Sequence, residues 1–315
     1  MNMQLLPLIR DSLWEGFVDI PSDFNLFTQK FIPEIYFREA VHSDIKESFR
    51  VIQKLLQHSF FEYQFFDIAT LRSVITLEMA LKIRYEEINS KRWKESKGLK
   101  ELISYFFTGN YFEVYNSNYL DSLRTIRNHM VHPYHHGYGG PTSAPVIKNV
   151  IDIINGLYED PHLRKSRMEK TISIIEVINT FDNGINIFSK KYKGMAHHAW
   201  PGFLFNKGNV EQLYFYYKPC FQYPLENFQE NQCCVSPTEL FIADSFIINQ
   251  QCLILCDNQG DELIVSGIIN EKQQLEFSLW VETYGRFTEP KGDYLFTNKG
   301  IVDPFRIHLR EFHKM

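Results

Sequence analysis

The chain has 315 residues, of which 44% are hydrophobic and 23% charged. This composition excludes an intrinsically disordered chain, because disorder goes with low hydrophobicity and high net charge. The length suits two domains that each bury a core of their own. The formal net charge of −5 excludes a globally basic nucleic-acid-binding protein, so any contact with RNA has to be local.

The N-terminal residues and the cysteines both indicate an intracellular chain. The apolar residues 5–9 follow no basic group and end at Arg10, so they are too short for a signal or transmembrane helix. We therefore expect a soluble cytoplasmic protein that does not enter a membrane. The five cysteines all lie between Cys220 and Cys256. Their odd number argues against a disulfide framework, and the lack of a Cys-x-x-Cys pair argues against a zinc site, so we expect reduced thiols.

Residues 36–190 carry the apolar periodicity of helices, whereas residues 1–35 stay unassigned. Within residues 36–190, apolar residues recur at intervals of three and four, which is typical of a helical bundle. The pattern predicts helices over residues 45–56, 61–83, 99–107, 119–131, 146–157 and 168–187. Pro133 ends the fourth of these, since the residue before a proline avoids the helical region. Residues 133–141 contain three glycines and two prolines and are predicted to form a loop.

Residues 191–315 change to short β-prone runs. Strands are predicted over residues 213–217, 240–248, 252–256, 263–269 and 275–281. The turn sequence at residues 257–261 joins two of them as a hairpin would, which indicates an antiparallel meander. His197 and His198, near the predicted boundary, are interpreted as residues that pack between the domains. The predicted fold class is α+β, with an N-terminal all-α helical bundle followed by a mostly antiparallel β domain.

The segment at residues 124–132 gathers the groups that RNA cleavage requires. At about 100° per residue on a helix, Arg124, Asn128 and His132 share one face, and Arg127 lies on the same side. Attack by a ribose 2′-hydroxyl needs a base, an acid for the leaving oxygen and positive charge on the phosphorane. Imidazole titrates near neutral pH and guanidinium grips phosphate in a bidentate fork. We interpret His132 as the acid or base and Arg127 as the phosphate clamp.

The same segment resembles a known family. Residues 127–132 read Arg-Asn-x-x-x-His, which resembles the Arg-x4–6-His motif of HEPN domains, where Asn or Asp often follows the arginine. Residues 72–82 resemble the long second helix of those helical bundles, so the resemblance covers about residues 40–190. It implies an endoribonuclease that uses no metal or other cofactor and leaves a 2′,3′-cyclic phosphate and a 5′-hydroxyl. It also implies a cleft shared by two copies of the motif in a homodimer.

The resemblance assigns roles to individual residues. Arg127 and His132 match the catalytic pair, and Asn128 matches the polar position that orients the histidine. The helix C-terminus favours a protonated imidazole and therefore a general-acid role for His132. Glu78 resembles a position that supports the arginine, with an ordinary surface carboxylate as the alternative. Arg124 is a candidate for additional phosphate binding, with an ordinary helix-face arginine as the alternative.

Histidines are dense at His129, His132, His135 and His136. Their spacing could suit zinc or nickel, but no nearby carboxylate or cysteine completes such a site, so no metal is expected. We interpret His129 as a supporting residue, and His135 and His136 as substrate-binding residues or as side chains of a solvated loop. Tyr134 can stack on an unpaired base, or pack against the bundle.

These features lead to three functional hypotheses. The leading one is a metal-independent endoribonuclease in bacterial defence, acting as a toxin or in abortive infection, whose residues 191–315 sense a trigger or bind an antitoxin or other regulatory partner. The second is a non-catalytic HEPN adaptor that dimerises and binds a partner or small ligand, in which Arg127 and His132 only form a solvated helix end. The third is a metal-dependent phosphoesterase that uses the clustered histidines.

Overall fold

The computed structural model divides into two compact units, one that ends at Glu159 and one that begins at Asp160. It describes residues 9–17, 19–94, 98–112, 115, 117–131, 139–181, 183–205, 210–220, 238–249, 252–288 and 298–315. The first unit is helical and the second carries an antiparallel sheet, so the predicted α+β fold class is confirmed. Among the described residues, no helix has the length and apolar character that crossing a membrane requires.

The first unit is a helical bundle around one apolar core. Its α-helices are α1 (Phe24–Lys30), α2 (Ser43–His58), α3 (Gln64–Asn89), α4 (Leu99–Thr108), α5 (Ser117–Val131) and α6 (Ala144–Leu157), with short 3₁₀ helices at Ser12–Gly16 and Gly140–Ser143. Trp14, from the stretch that the sequence left unassigned, is fully buried and donates from Nε1 to the carbonyl of Ser59 at 2.7 Å. The indole therefore anchors the N-terminal segment to the bundle.

The long helix α3 buries a face of small and hydroxyl-bearing residues. Thr70 and Ser73 donate to backbone carbonyls of their own helix, and Thr76 lies 2.7 Å from the hydroxyl of Ser48 on α2. Small side chains let α2 approach closely, and these hydrogen bonds satisfy the buried hydroxyls. Two apolar residues of α3, Ile68 and Ile75, lie off this face and are 48% and 37% exposed.

The second unit surrounds its sheet with three helices. The helices are α7 (Pro161–Asn179), α8 (Glu271–Thr288) and α9 (Asn298–Lys314), and the strands are β1 (Ile185–Phe188), β2 (Lys193–Phe205), β3 (Glu211–Pro219), β4 (Glu239–Ala243), β5 (Ser245–Ile248), β6 (Cys252–Cys256) and β7 (Glu262–Gly267). The strand order is β4-β3-β2-β1-β7-β6-β5. The predicted hairpin after Cys256 is confirmed as the connection between β6 and β7. Cys220 is buried, and neither it nor Cys252 nor Cys256 forms a disulfide.

The sheet curls until its two edges meet. β4 and β5 stand at opposite edges of the strand order, yet only Asp244 separates them in the chain. A single residue cannot span an open sheet of this width, because neighbouring strands lie nearly 5 Å apart. The side chain of Gln212 on β3 donates to Asp244 at 2.8 Å, and Phe203 on β2 contacts Phe246 on β5 at a ring distance of 5.6 Å. The curled sheet therefore encloses the core of this unit.

The boundary between the units differs from the predicted one near residue 190. Helix α7 and strand β1 both fall in the second unit. Ile174 on α7 is fully buried in the same apolar cluster as Ile187 and Phe203 of the sheet. The apolar period of α7 identified it as a helix but gave no information on which core it joins.

Several secondary-structure predictions in this unit are wrong. The helix predicted over residues 168–187 ends at Asn179, residues 185–187 belong to β1, and helix α9 was not predicted. Residues 275–281 were predicted as a strand but lie in α8, because Asn270 caps that helix by accepting hydrogen bonds from the backbone N–H groups of Lys272 and Gln273. Strand β2, which contains His197 and His198, was not predicted. The imidazole of His197 contacts the Trp280 ring of α8 at 4.8 Å, and burial lowers its pKa to about 3.

Helix α9 packs on β2 through Gly202, and this contact can be tested. A Cβ atom at Gly202 would lie 2.3 Å from the ring of Phe305, which is itself 1% exposed. We expect Gly202→Ala to lower the free energy of unfolding by about 1–3 kcal/mol, because the ring has to shift within a filled core. Gly16→Ala is the matched control, since nothing lies within 4 Å of its added Cβ. Equal denaturant midpoints for the two variants would contradict the packing.

Candidate active site

Helix α5 carries the predicted catalytic segment on the bundle surface. It spans Ser117–Val131 and buries Leu120 and Leu123, while it packs against α3 and α4. The predicted helix over residues 119–131 is confirmed, while Pro133 lies outside the described residues. The last two turns of α5 therefore hold Arg127 and Asn128 in fixed positions.

The guanidinium group of Arg127 is held by two side chains. Its Nη1 donates to Oδ1 of Asn128 at 3.0 Å, and its Nη2 lies 3.4 Å from Oε2 of Glu78 on α3. The Nε atom is buried and has no hydrogen-bond partner among the described residues. The side chain as a whole stays 35% exposed. Arg127 is therefore oriented from both ends of the guanidinium while part of it faces outward.

Glu78 is the acidic partner in this arrangement. Its side chain is only 15% exposed, and its Oε1 also accepts from Nζ of Lys82 at 2.7 Å, one turn further along α3. A mostly buried carboxylate that contacts two cations is more constrained than a surface carboxylate. The structure thus brings Glu78 and Arg127 together, as the position of Glu78 in the long helix suggested.

Two predicted supporting residues lie apart from this cluster. Arg124 donates to both oxygens of Asp121, from Nε at 2.7 Å and from Nη2 at 3.3 Å, and this exposed pair lowers the pKa of Asp121. His129 is exposed and, two residues after Arg127, points to the other side of α5. Neither side chain is hydrogen-bonded to Arg127 in the part of the chain that the structure describes.

The remaining predicted site residues lie outside the described residues. These are His132, Tyr134, His135 and His136. Among the residues that are described, no group of three His, Cys, Asp or Glu side chains could hold a metal ion.

Gly139 and Gly140, which come after these four residues in the chain, are hydrogen-bonded to Asp67 of α3. Oδ1 of Asp67 accepts from the backbone N–H groups of Gly139 and Gly140, both at 3.0 Å. A Cβ atom at Gly140 would lie 1.6 Å from the hydroxyl of Tyr63, and the φ angle of +45° also favours glycine there. Asp67 therefore holds this glycine pair against α3.

Sequence reasoning missed Asp67 and Tyr63. Asp67 is 8% exposed, and its Oδ2 is buried without a partner among the described residues. Burial raises its pKa, although the N–H groups of Gly140 and Gly139 partly oppose this. The only available signal was a carboxylate at a core-facing position of α3 together with a Gly-Gly pair in the loop. That signal does not connect two groups 72 residues apart in the chain.

Comparisons with known proteins give no relative on which to base an assignment. No protein-family model, no curated protein and no solved structure matches this chain. The function must therefore be inferred from the residues and their geometry.

The contact between Asp67 and the two glycines predicts a pH-dependent stability. A pKa raised in the folded state gives stability that is full below about pH 4, the ordinary pKa of aspartate, and is lost as the pH rises through the folded value. Asp67→Asn keeps an acceptor oxygen but has no charge to desolvate. We expect its melting temperature relative to wild type to increase between about pH 4 and pH 7.

Asp67→Ala is the companion variant, because it removes the acceptor altogether. Near pH 4 it should lower the free energy of unfolding by about 1–3 kcal/mol, since two backbone N–H groups lose their partner. This deficit relative to wild type should shrink as the pH rises, because alanine has no charge to desolvate. Melting curves recorded by circular dichroism would give both comparisons. Parallel pH curves for wild type and Asp67→Asn would show that the carboxylate is not desolvated.

Proposed function

We propose that the chain is a metal-independent endoribonuclease of the HEPN type, with Arg127 binding the scissile phosphate and His132 transferring the proton. The observation that carries this proposal is the guanidinium of Arg127, which Asn128 and Glu78 orient at the end of α5 while it stays partly exposed. An ordinary solvated helix-end arginine would not need two side chains to fix its orientation.

The donor count of Arg127 fits a phosphate ligand. A guanidinium carries five N–H groups, of which Nη1 gives one to Asn128 and Nη2 gives one to Glu78. One N–H on each terminal nitrogen is left for a phosphate oxygen. A guanidinium held in this way needs no reorganisation as charge develops on the phosphorane, which is the requirement for electrostatic catalysis.

The proposed reaction needs one proton to leave and one to arrive. The ribose 2′-oxygen forms a bond to phosphorus as its proton departs, and the bond from phosphorus to the 5′-oxygen breaks as that oxygen takes up a proton. The products are a 2′,3′-cyclic phosphate and a 5′-hydroxyl. His132, which directly follows α5 in the sequence, supplies the imidazole for these transfers. A second copy of the chain would supply a second imidazole if the cleft is shared in a homodimer.

Direct cleavage assays test the proposal. Purified full-length protein is incubated with single-stranded RNA in the presence of a chelator, and the ends of the products are identified. We expect cyclic-phosphate ends, a loss of about 100- to 1000-fold in rate for Arg127→Ala, and a loss of about 100- to 10,000-fold for His132→Ala. Arg50→Ala and His162→Ala are matched controls, because both side chains are exposed and lie on α2 and α7.

Three results would contradict the proposal in different ways. If Arg127→Ala cleaves RNA at the wild-type rate, Arg127 does not bind the scissile phosphate. Cleavage abolished by the chelator would favour the phosphoesterase hypothesis. A folded protein that binds RNA or a partner but cuts no RNA would favour the adaptor hypothesis.

The orienting role of Glu78 gives a separate prediction. Glu78→Ala leaves the guanidinium in place but frees its Nη2, so we expect kcat/KM for RNA to fall by up to about 100-fold, and by less than in Arg127→Ala. Glu47→Ala is the control, because Glu47 forms a comparable but exposed ion pair with Arg50 on α2. If Glu78→Ala and Glu47→Ala cut RNA at the same rate, Glu78 does not position Arg127.

A further inference from the structure

An aromatic pocket opens on the first unit at the end of α3 remote from Asp67. The cavity has a volume of about 670 Å³. Tyr85 on α3, Tyr105 on α4, and Trp93 and Tyr111 near the ends of these helices line it together with Glu101. The four rings are only partly buried, and Glu101 is exposed, so the pocket is accessible from solvent.

The rings meet nearly at right angles. Tyr85 contacts Trp93 at a centroid distance of 4.8 Å and an interplanar angle of 81°, and contacts Tyr105 at 4.9 Å and 72°. The rings of Trp93 and Tyr105 therefore both stand nearly perpendicular to the ring of Tyr85, and the three form a corner. Such a corner presents negatively polarised π faces in more than one direction to a group placed against it.

The walls of this pocket are held in place. The amide of Asn89 donates to the hydroxyl of Tyr105 at 2.9 Å, which fixes that ring against the C-terminal end of α3. The ring of Tyr111 lies over Gly109, where a Cβ atom would come within 2.8 Å of it. Only a glycine allows the Tyr111 ring to lie this close to the backbone. The pocket is therefore preorganised rather than formed by mobile surface rings.

The charge of the pocket selects for a cation. Of the described residues that line it, Glu101 alone is charged, and Ser104 and Thr108 add only hydroxyl groups. Among these lining residues a phosphate or a nucleic-acid backbone would meet a carboxylate and no basic side chain. A cation would meet the π faces and the carboxylate together, which reinforce each other.

We propose that this pocket binds a trimethylated or quaternary ammonium group. Such a cation is bulky, weakly hydrated and has no N–H donor, so aromatic faces replace its hydration better than they replace that of a lysine ammonium. Glu101 supplies the opposing charge at the rim of the cage. The ligand chemistry can come from a small choline-like molecule or from a trimethylated lysine of a peptide. The site is separate from Arg127 and does not depend on the ribonuclease activity.

Calorimetric titration of the full-length chain tests the proposal. The probes are tetramethylammonium, choline and a trimethyllysine peptide, with the neutral tert-butyl isostere of choline and the unmethylated peptide as controls. We expect choline to bind at least about twofold more tightly than its neutral isostere, because only the cation gains cation–π attraction. We expect the trimethyllysine peptide to bind more tightly than the unmethylated peptide by a similar factor, because the lysine ammonium is more strongly hydrated. A preference for the peptide over choline would identify a protein ligand, and the reverse a small molecule; either supports an alkylammonium site.

Variants locate the binding in the pocket. Trp93→Leu removes one π face and should weaken choline binding by about tenfold, while Glu101→Gln should weaken it by up to about fivefold. Glu86→Gln, at an exposed carboxylate of α3 that does not line the pocket, should leave binding unchanged. Glu101 is exposed, so its variant is expected to fold normally, and circular dichroism checks this for each variant.

The outcomes against the proposal are also distinct. Equal binding of choline and its neutral isostere would show an apolar cleft without cation recognition. Tighter binding of free nucleosides than of any cation would make the pocket a base-stacking site. Failure of all the cations to bind a folded wild-type chain at millimolar concentration would overturn the assignment.

Discussion

The first unit depends on how α3 packs and on which residues occupy one line along it. Its buried hydroxyls are satisfied by carbonyls of the helix and by α2, and its small side chains let α2 pack closely. At about 100° per residue, Asp67, Glu78 and Tyr85 fall within about 20° of one another around the helix axis. These three residues contact, in order, the glycines at 139 and 140, the arginine of α5, and the aromatic pocket. One rigid helix therefore sets the spacing of all three.

The second unit is governed by closure of its sheet at Asp244. Only one residue separates β4 from β5, yet β4 pairs with β3 and β5 pairs with β6, at opposite edges of the sheet. An open sheet cannot satisfy both pairings. The apolar core of the sheet contains Phe203 and Phe215, with Phe246 packed against it, and Ile174 of α7 joins this core. Helix α9 packs on β2 where Gly202 leaves room for Phe305. Helix α7, which has the period of a bundle helix, therefore serves this core instead.

How far the sequence could predict the candidate site differs between its residues. Helical period placed Arg127 and Asn128 on neighbouring positions of one helix, and both lie on α5. The pairing of Arg127 with Glu78 followed only from a family resemblance, because the two residues are 49 apart in the chain. Arg124 was predicted to face the same ligand, yet a carboxylate one turn away, Asp121, holds it. Local competition of this kind is invisible in a pattern of residue types.

The sequence by itself determined the α+β class, most of the helices and the hairpin between β6 and β7, since these follow from apolar period and turn residues in short windows. It could not assign α7 to a unit, nor find β2, because amphipathic patterns do not specify a packing partner. The guanidinium at residue 127 shows the same division. Its place on α5 was readable from the sequence, whereas its fixed orientation exists only because packing of α3 against α5 brings Glu78 within 3.4 Å.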